Sequence, residues 1–480
     1  MSDDLEKARI GLLRLKRGQS PQDAEAALRA RDPELVGSLL TWLHDDLYAL
    51  APDATPLVRA RAPLRALGAT EFKEVEVLPY VEILGVRDPQ AGAATTALRD
   101  RELAPALFVQ APTFWDTADY QGGQVKLDWQ NLVTDLPGAW KLLGANGPAA
   151  CAAIRVGHID TGFTEHPVLG WTTPGGTWLR PDLGKNYWKE RIETPGVGEE
   201  PLRLNVVPED PRPRDNLTGP SGGHGTRTLS LLTGLYAPAD EPIDFPFFGA
   251  APNATVIPFR ITDAIVIDHV QDLLARAIRE ALAQGVQVIS ISLGAVRPDR
   301  AVAAAIDEAY ESGVIICAAA GNVIPWVIYP GRFSRVVTVG GATTDGKKLY
   351  PWRGAARGRE VDISGPADVI RRGTTVLERG RERFVITNGG DGTSFATAMC
   401  AGIAVLWLAR RGAELDAAYG SERWARVAAF KKLLRSTAHV PENWDAGNYG
   451  TGTYRAGFLL EAALPALADL EQEAPAIAQA

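Results

Sequence analysis

Sulfur is scarce in this chain, with three cysteines and two methionines in 480 residues. An odd number of thiols argues against a closed disulfide framework. Cys317 and Cys400 lie inside apolar runs, where a thiol serves as a small core residue, and Cys151 lies near a strand start. Long apolar runs are missing too: nothing approaches the roughly 18 uninterrupted apolar residues that a membrane span needs. No long basic run breaks the balance of 58 acids against 50 bases, a formal charge of −8. Phosphate neutralisation is therefore not the main task, and no nucleic-acid partner is expected. The opening Met-Ser-Asp-Asp-Leu-Glu-Lys lacks the basic and apolar regions of a secretory signal. These absences together predict a cytoplasmic protein with no membrane partner.

What is present describes a globular chain, with 46% hydrophobic and 22% charged residues and length enough for one large domain and a smaller one. Residues 1–66 read as a helical bundle. Asp4, Ser20-Pro21 and Asp32-Pro33 are helix starts, and Val36, Leu40, Leu43, Leu47 and Leu50 recur at helical spacing. Nothing there suggests chemistry; an inhibitory extension or pro-region and an adaptor for a regulatory partner, as in a bacterial regulatory or defence pathway, are both open. Residues 67–125 read as a connector or pro-segment, with strand fragments at 75–77, 80–84 and 104–111. Residues 467–480 read as a flexible tail.

Between 126 and 466 the pattern becomes regular. A strand over 154–159 runs into Asp160-Thr161-Gly162. Gly222-Gly223-His224-Gly225-Thr226 opens a helix, 255–260 is a strand, and 270–285 is an amphipathic helix closed by Gly285. A strand over 286–293, a helix over 299–312 and a strand over 314–320 follow, the last ending in Gly321-Asn322. Further strands fall at 336–339 and 361–363. Apolar strands alternating with helices predict an α/β domain: a doubly wound, mostly parallel sheet with helices on both faces.

Asp391-Gly392-Thr393-Ser394-Phe395-Ala396-Thr397-Ala398 then delivers a serine to the start of an almost wholly apolar helix. In open α/β sheets ligands bind beyond the carboxyl ends of the strands. Asp160 and Asn322 lie at that edge, and His224 and Ser394 start helices where the chain has just crossed it. Each has a plainer reading: a strand-end turn for Asp160, caps for His224 and Ser394, a left-handed turn for Asn322. The types nevertheless fit one chemistry. A serine hydroxyl needs a base to attack, histidine supplies it near neutral pH, a carboxylate orients the imidazole, and an amide meets the oxyanion.

Asp160-Thr161-Gly162, His224-Gly225-Thr226, Asn322 in Ala-Ala-Gly-Asn, and Gly392-Thr393-Ser394-Phe395-Ala396 resemble, in order, the signature blocks of the subtilisin-like serine proteases. Ser292-Leu293-Gly294 resembles the strand that pairs with extended substrate, and Tyr329-Pro330-Gly331 the base of the specificity pocket, where the family often has a cis proline. The similarity covers about 136–463. It implies a serine endopeptidase acting on protein or peptide substrates through an acyl-enzyme. Ser394 would be nucleophile, His224 base and acid, Asp160 the orienting carboxylate, and Asn322 with the Ser394 N–H the oxyanion hole. Ser292, Leu293, Gly294 and Ile328 would contact substrate.

The chain departs from the family pattern at several places. Arg227 stands where a second histidine is usual, and its cation would disfavour the imidazolium unless a carboxylate neutralises it. Ala398 replaces a proline, and Ile328 a glycine, which would make the pocket shallower and favour small or medium apolar side chains. Residues 171–221, with Trp171, Trp178, Tyr187 and Trp188, form a long loop that reads as a surface aromatic cluster or as a lid. Leu78-Pro79-Tyr80 faintly resembles the blocking motif of intracellular subtilisins. No cofactor is implied and no metal ligand is assigned; many relatives use structural calcium, but no acidic run has suitable spacing. A different class, a catalytically silent scaffold that binds peptides by strand addition along 292–294, stays open.

Overall fold

The computed structural model describes residues 8–15, 19–45, 47–51, 57–58, 67, 69–77, 129–144, 147–172, 176–188, 211–235, 247–346 and 348–473. The expected strand fragments at 80–84 and 104–111 and the Leu78-Pro79-Tyr80 motif lie outside them. The chain divides into two compact units, Met1–Gln110 with Glu471–Ala480, and Ala111–Leu470.

The first unit is not a helical bundle. Among the described residues it holds strands β1 (Ala8–Leu15), β2 (Leu40–His44), β3 (Leu47–Leu50) and β4 (Ala69–Val77), in the antiparallel order β2-β3-β1-β4, with one helix, α1 (Pro21–Arg29). Only that helix matches expectation; Ser20 caps it by accepting from the Gln22 N–H, and Pro21 takes its first turn. The leucines that suggested a helix over 36–50 instead fold back on one another, with Leu40 opposite Leu50 across a hairpin. In β1 burial alternates, Leu13 and Leu15 inward and Leu12 and Arg14 partly exposed. A short apolar run satisfies both periods, and pairing with distant strands decides between them. Leu13, Leu15, Leu28, Leu39, Leu50 and Leu67 share one core.

The second unit carries α2 (Trp129–Val133), α3 (Leu136–Leu143), α4 (Gly147–Ala152), β5 (Arg155–Asp160), β6 (Lys185–Asn186), α5 (His224–Thr233), β7 (Thr255–Arg260), α6 (Gln271–Ala283), β8 (Val288–Ile291), α7 (Arg300–Glu311) and β9 (Ile315–Ala319). After these come β10 (Val337–Thr344), β11 (Leu349–Pro351), β12 (Ile363–Pro366), β13 (Ile370–Glu378), β14 (Arg381–Gly390), α8 (Thr393–Tyr419), α9 (Trp424–Ser436), α10 (Ala446–Tyr449), α11 (Ala456–Glu461) and α12 (Leu467–Glu473). The expected flexible tail is thus helical over its first part.

The main sheet runs β11-β10-β9-β8-β5-β7-β6, with β12 beside β10. All of its pairings are parallel except β10 with β11. Every residue of β8 and β9 is buried, so both faces of the sheet are covered, as a parallel sheet requires. On one packing contact α6 and α7 lie together; α8 lies against β8, β9, β10 and β12. By length and composition α8 resembles a membrane span, but all its residues from Thr393 to Leu408 are buried in this unit.

A buried ion pair ties α9 to the sheet. Lys431 Nζ lies 2.9 Å from Asp362 Oδ2, and its remaining protons go to the carbonyls of Ser334 and Val336, so its charge is fully met. The cysteines Cys151, Cys317 and Cys400 are free and buried.

Candidate active site

Parallel strands end on one edge, and the polar residues singled out above gather there. Asp160 is the last residue of β5, His224 the first of α5, Ser394 the second of α8, and Asn322 follows β9 closely. Positive φ at Gly223 (73°) and Gly392 (144°) turns the chain into both helices. A β-carbon at Gly225 would overlap the Gly162 carbonyl, so α5 starts in direct contact with the Asp160-Thr161-Gly162 turn.

Asp160 is completely buried and its Oδ1 lies 2.7 Å from His224 Nδ1. The Thr161 N–H donates to the same oxygen at 2.7 Å. Burial works to raise the Asp160 carboxyl, but the His224 charge and hydrogen bond, His158 and the Thr161 N–H outweigh it and hold the group below its ordinary value. An ionised carboxylate on Nδ1 fixes the proton there and leaves Nε2 as the base.

Ser394 is nearly buried. Its hydroxyl donates to the Ser292 carbonyl at 3.4 Å, and the Ser292 hydroxyl donates to the Ser394 carbonyl at 3.1 Å. Among the described residues its hydrogen bond runs to Ser292, not to His224; in substrate-free sites catalytic hydrogen bonds are commonly long or not yet made.

Asn322 is oriented by Thr393, whose N–H and hydroxyl donate to its Oδ1 at 2.9 and 2.8 Å. Nδ2 is thereby turned toward the serine. The position of a β-carbon on Gly392 lies 3.4 Å from Asn322 Nδ2 and 3.8 Å from Ser394 N. This hollow, between an amide donor and the first turn of α8, suits an oxyanion. The left-handed residue of this turn is Val323 (φ 69°), not Asn322.

Two further charged groups were not foreseen together. Arg227 donates to the Gly222 carbonyl at 2.9 Å; burial pulls its guanidinium below the ordinary arginine value, with Asp215 and Asp160 opposing. Asp215 is the stronger of the two carboxyls acting on Arg227 by charge, without an ion pair between them. It accepts from the Thr161 hydroxyl at 2.6 Å, and burial pushes it up to about 6, opposed by Thr161, Gly223 N–H and Arg227. No sequence signal marked it, because it sits within the long loop before α5.

The substrate-facing residues differ in part from expectation. Ser292 lies beside Ser394, and Leu293 is buried. Gly294 is not a free strand edge: its N–H donates to the Ile265 carbonyl at 3.0 Å and its carbonyl accepts from the Ile267 N–H at 2.9 Å. Asp268 pins this segment by accepting from the Val296 and Arg297 N–H groups at 3.0 and 3.3 Å. Ile328 lies against Gly294 and Gly321, next to a cis Tyr329–Pro330 bond. The long loop is anchored where described: Trp171 stacks on Phe163 at 5.7 Å, and Tyr187 meets Arg276 at 5.1 Å. Among the described residues no group of three or more His, Cys, Asp or Glu side chains is placed to hold a metal ion.

A profile of the subtilase family matches residues 152–457. The chain belongs to the subtilase family. Subtilase relatives include the minor extracellular protease Epr of Bacillus subtilis (strain 168), 26% identical over 254 residues that make up 50% of this chain and 36% of Epr. Subtilisin E from the same organism is 26% identical over 227 residues, 45% of this chain and 54% of subtilisin E. The chain therefore spans between about a third and just over half of these subtilases' lengths. The crystal structure of MycP1 with its N-terminal propeptide removed aligns at a TM-score of 0.50 and 20% identity, over 70% of this chain and 98% of MycP1. At that identity the likeness speaks for the fold.

Proposed function

We propose that this chain is a serine endopeptidase. The observation that carries the reading is the 2.7 Å contact between the buried Asp160 and His224, on the rim where Ser394 starts α8. In the proposed reaction the Ser394 hydroxyl turns from Ser292 to His224 Nε2 and attacks a peptide carbonyl as the imidazole takes its proton. Asp160 stabilises the imidazolium, and Asn322 Nδ2 with the Ser394 N–H receives the oxyanion. His224 then protonates the leaving amine, and water releases the acyl group by the reverse path. A fluorophosphonate probe tests this: labelling abolished by Ser394→Ala supports it, and absence of labelling in the intact chain and in protein lacking residues 1–110 sinks it.

Ile328 supports a preference for small side chains before the cut, and the pairing of Gly294 with Ile265 and Ile267 supports restricted entry, since a peptide must part that pairing to add a strand. The same pairing weighs against the silent scaffold, because strand addition needs free N–H and C=O groups. The first unit has its own core and supplies none of Asp160, His224, Asn322 or Ser394, which supports a regulatory role for it. An inhibitory role predicts that removing residues 1–110 raises the labelling rate; an unchanged rate favours recruitment of a partner.

A further inference from the structure

The mechanism above uses one oxygen of Asp160. The other, Oδ2, faces a second histidine. His158 precedes Asp160 by two residues on β5, and its Nε2 lies 3.8 Å from Asp160 Oδ2 and 2.9 Å from Thr228 Oγ1. Thr228, one turn after His224 on α5, places its hydroxyl 3.4 Å from Asp160 Oδ2. It also lies 2.9 Å from the Gly225 carbonyl and 3.3 Å from the His224 carbonyl. His158 and Thr228 are both buried. Mid-strand and mid-helix positions in a hydrophobic core ordinarily hold apolar side chains, and a buried polar pair is costly unless its hydrogen bonds are used.

The tautomer of His158 follows from its surroundings. Its Nδ1 is buried without a partner. With the proton on Nδ1, the Nε2 lone pair would face a carboxylate at 3.8 Å and an N–H would be left orphaned; with the proton on Nε2, an N–H faces Thr228 and the carboxylate. The ring stays neutral, because burial presses its pKa to about 4, Asp160 working against this and His224 with it. His158 therefore acts as a neutral donor, and the Thr228 hydroxyl, accepting from it, has a single proton to share between the Gly225 carbonyl at 2.9 Å, its nearest acceptor, and Asp160 Oδ2 at 3.4 Å.

We propose that His158 and Thr228 are positioning residues that hold the second oxygen of Asp160 and thereby moderate its pull on His224. Asp160 is gripped on both sides by imidazoles: His224 directly on Oδ1, His158 through Thr228 on Oδ2. The other charged groups acting on this carboxylate are Arg227 from α5 and Asp215 from the segment before it, and they remain in place in the variants below. Donors on Oδ2 spread the negative charge; without them the full charge acts on His224, and its pKa rises. The proposal rests on the peptidase reading for its catalytic meaning, but the coupling itself does not need turnover.

The test is the titration midpoint of the His224 ring, followed by NMR in the full chain and assigned by loss of the signal in His224→Ala. Thr228→Val, which keeps the shape and removes the hydroxyl, and His158→Val are each expected to raise that midpoint by about one pH unit, tenfold in proton affinity. Thr228→Ser and His158→Gln, which keep a donor, are expected to restore most of the wild-type value. The pH dependence of fluorophosphonate labelling should move in parallel, its acid limb shifting to higher pH. Unchanged midpoints in both valine variants, with only a lower melting temperature, would overturn the proposal and assign the pair to packing. Wild-type protein that never labels would count against the peptidase reading, while the NMR midpoints would still decide the coupling.

Discussion

The Ile328 side chain occupies the space between Gly294 and Gly321: a β-carbon on Gly294 would overlap it, and one on Gly321 would come within 3.0 Å of it. If Ile328 lines the pocket, as proposed above, its side chain fills part of it. Ile328→Gly should therefore open room for a large apolar side chain. Burying a leucine or phenylalanine is worth about 1.5–3 kcal/mol, so kcat/KM for such substrates should rise by roughly 10- to 100-fold relative to alanine. A peptide-library digest checks this; the same preference before and after substitution would show that Ile328 does not line the pocket.

Asn322 and Gly392 line the hollow proposed above to receive the oxyanion, and they should fail in different ways. Asn322→Ala removes a donor; in subtilisin itself such a loss costs on the order of 10²–10³ in kcat. Gly392→Ala puts a methyl group 3.4 Å from Asn322 Nδ2, at a φ of 144°. It should lower kcat and also destabilise the protein by about 1 kcal/mol or more. Single-turnover kinetics and urea midpoints on both variants separate the two effects.

Asp268 holds the Ile265–Ile267 segment against Gly294 by accepting from Val296 and Arg297. Asp268→Ala should loosen it, raising kcat/KM toward peptides several-fold and speeding exchange of the Gly294 and Ile267 amides. Slower cleavage with unchanged exchange would show that the pairing is not what limits entry.

Stability should fall on mild acidification. Burial lowers His158 and His166 to about 4, so below about pH 6.5 the unfolded chain takes up protons that the native rings refuse. Asp215, raised to about 6, works the other way, binding a proton in the native state that the unfolded chain releases. Two rings against Asp215 leave at most about one extra proton on the unfolded chain between pH 6 and 4, and Asp268 and Asp391, also raised by burial, reduce that excess. The expected loss is therefore below about 1.4 kcal/mol per pH unit. His166→Gln should flatten or reverse that slope; urea midpoints at pH 7, 6 and 5 measure it.

How much was legible in the sequence depended on how local the signal was. The strand over 255–260 and the helix after Asp299, whose side chain accepts from the Val302 N–H at 3.0 Å, were readable because periodicity and cap agreed. Asp160, His224, Asn322 and Ser394 were readable because each stands at a strand end or helix start. The β13–β14 hairpin was not: its two-residue turn is Arg379-Gly380, with φ of 52° and 77°, and arginine hides a turn that asparagine or aspartate would announce. His158 and Asp215 were invisible for another reason. Each acquires meaning only from a partner distant in sequence, Thr228 for one and Thr161 for the other.

The helix that carries Ser394 is buried from Thr393 to Leu408 and packs against four strands of the main sheet. Its first turn therefore cannot fray alone, and its amides should exchange with solvent only through global opening of the unit. Heat or denaturant should then extinguish labelling and tertiary structure at one shared midpoint, with no window in which the unit is folded but its nucleophile displaced. Loss of labelling without loss of the fold would then point away from the serine's seat, to the imidazole or to what reaches it.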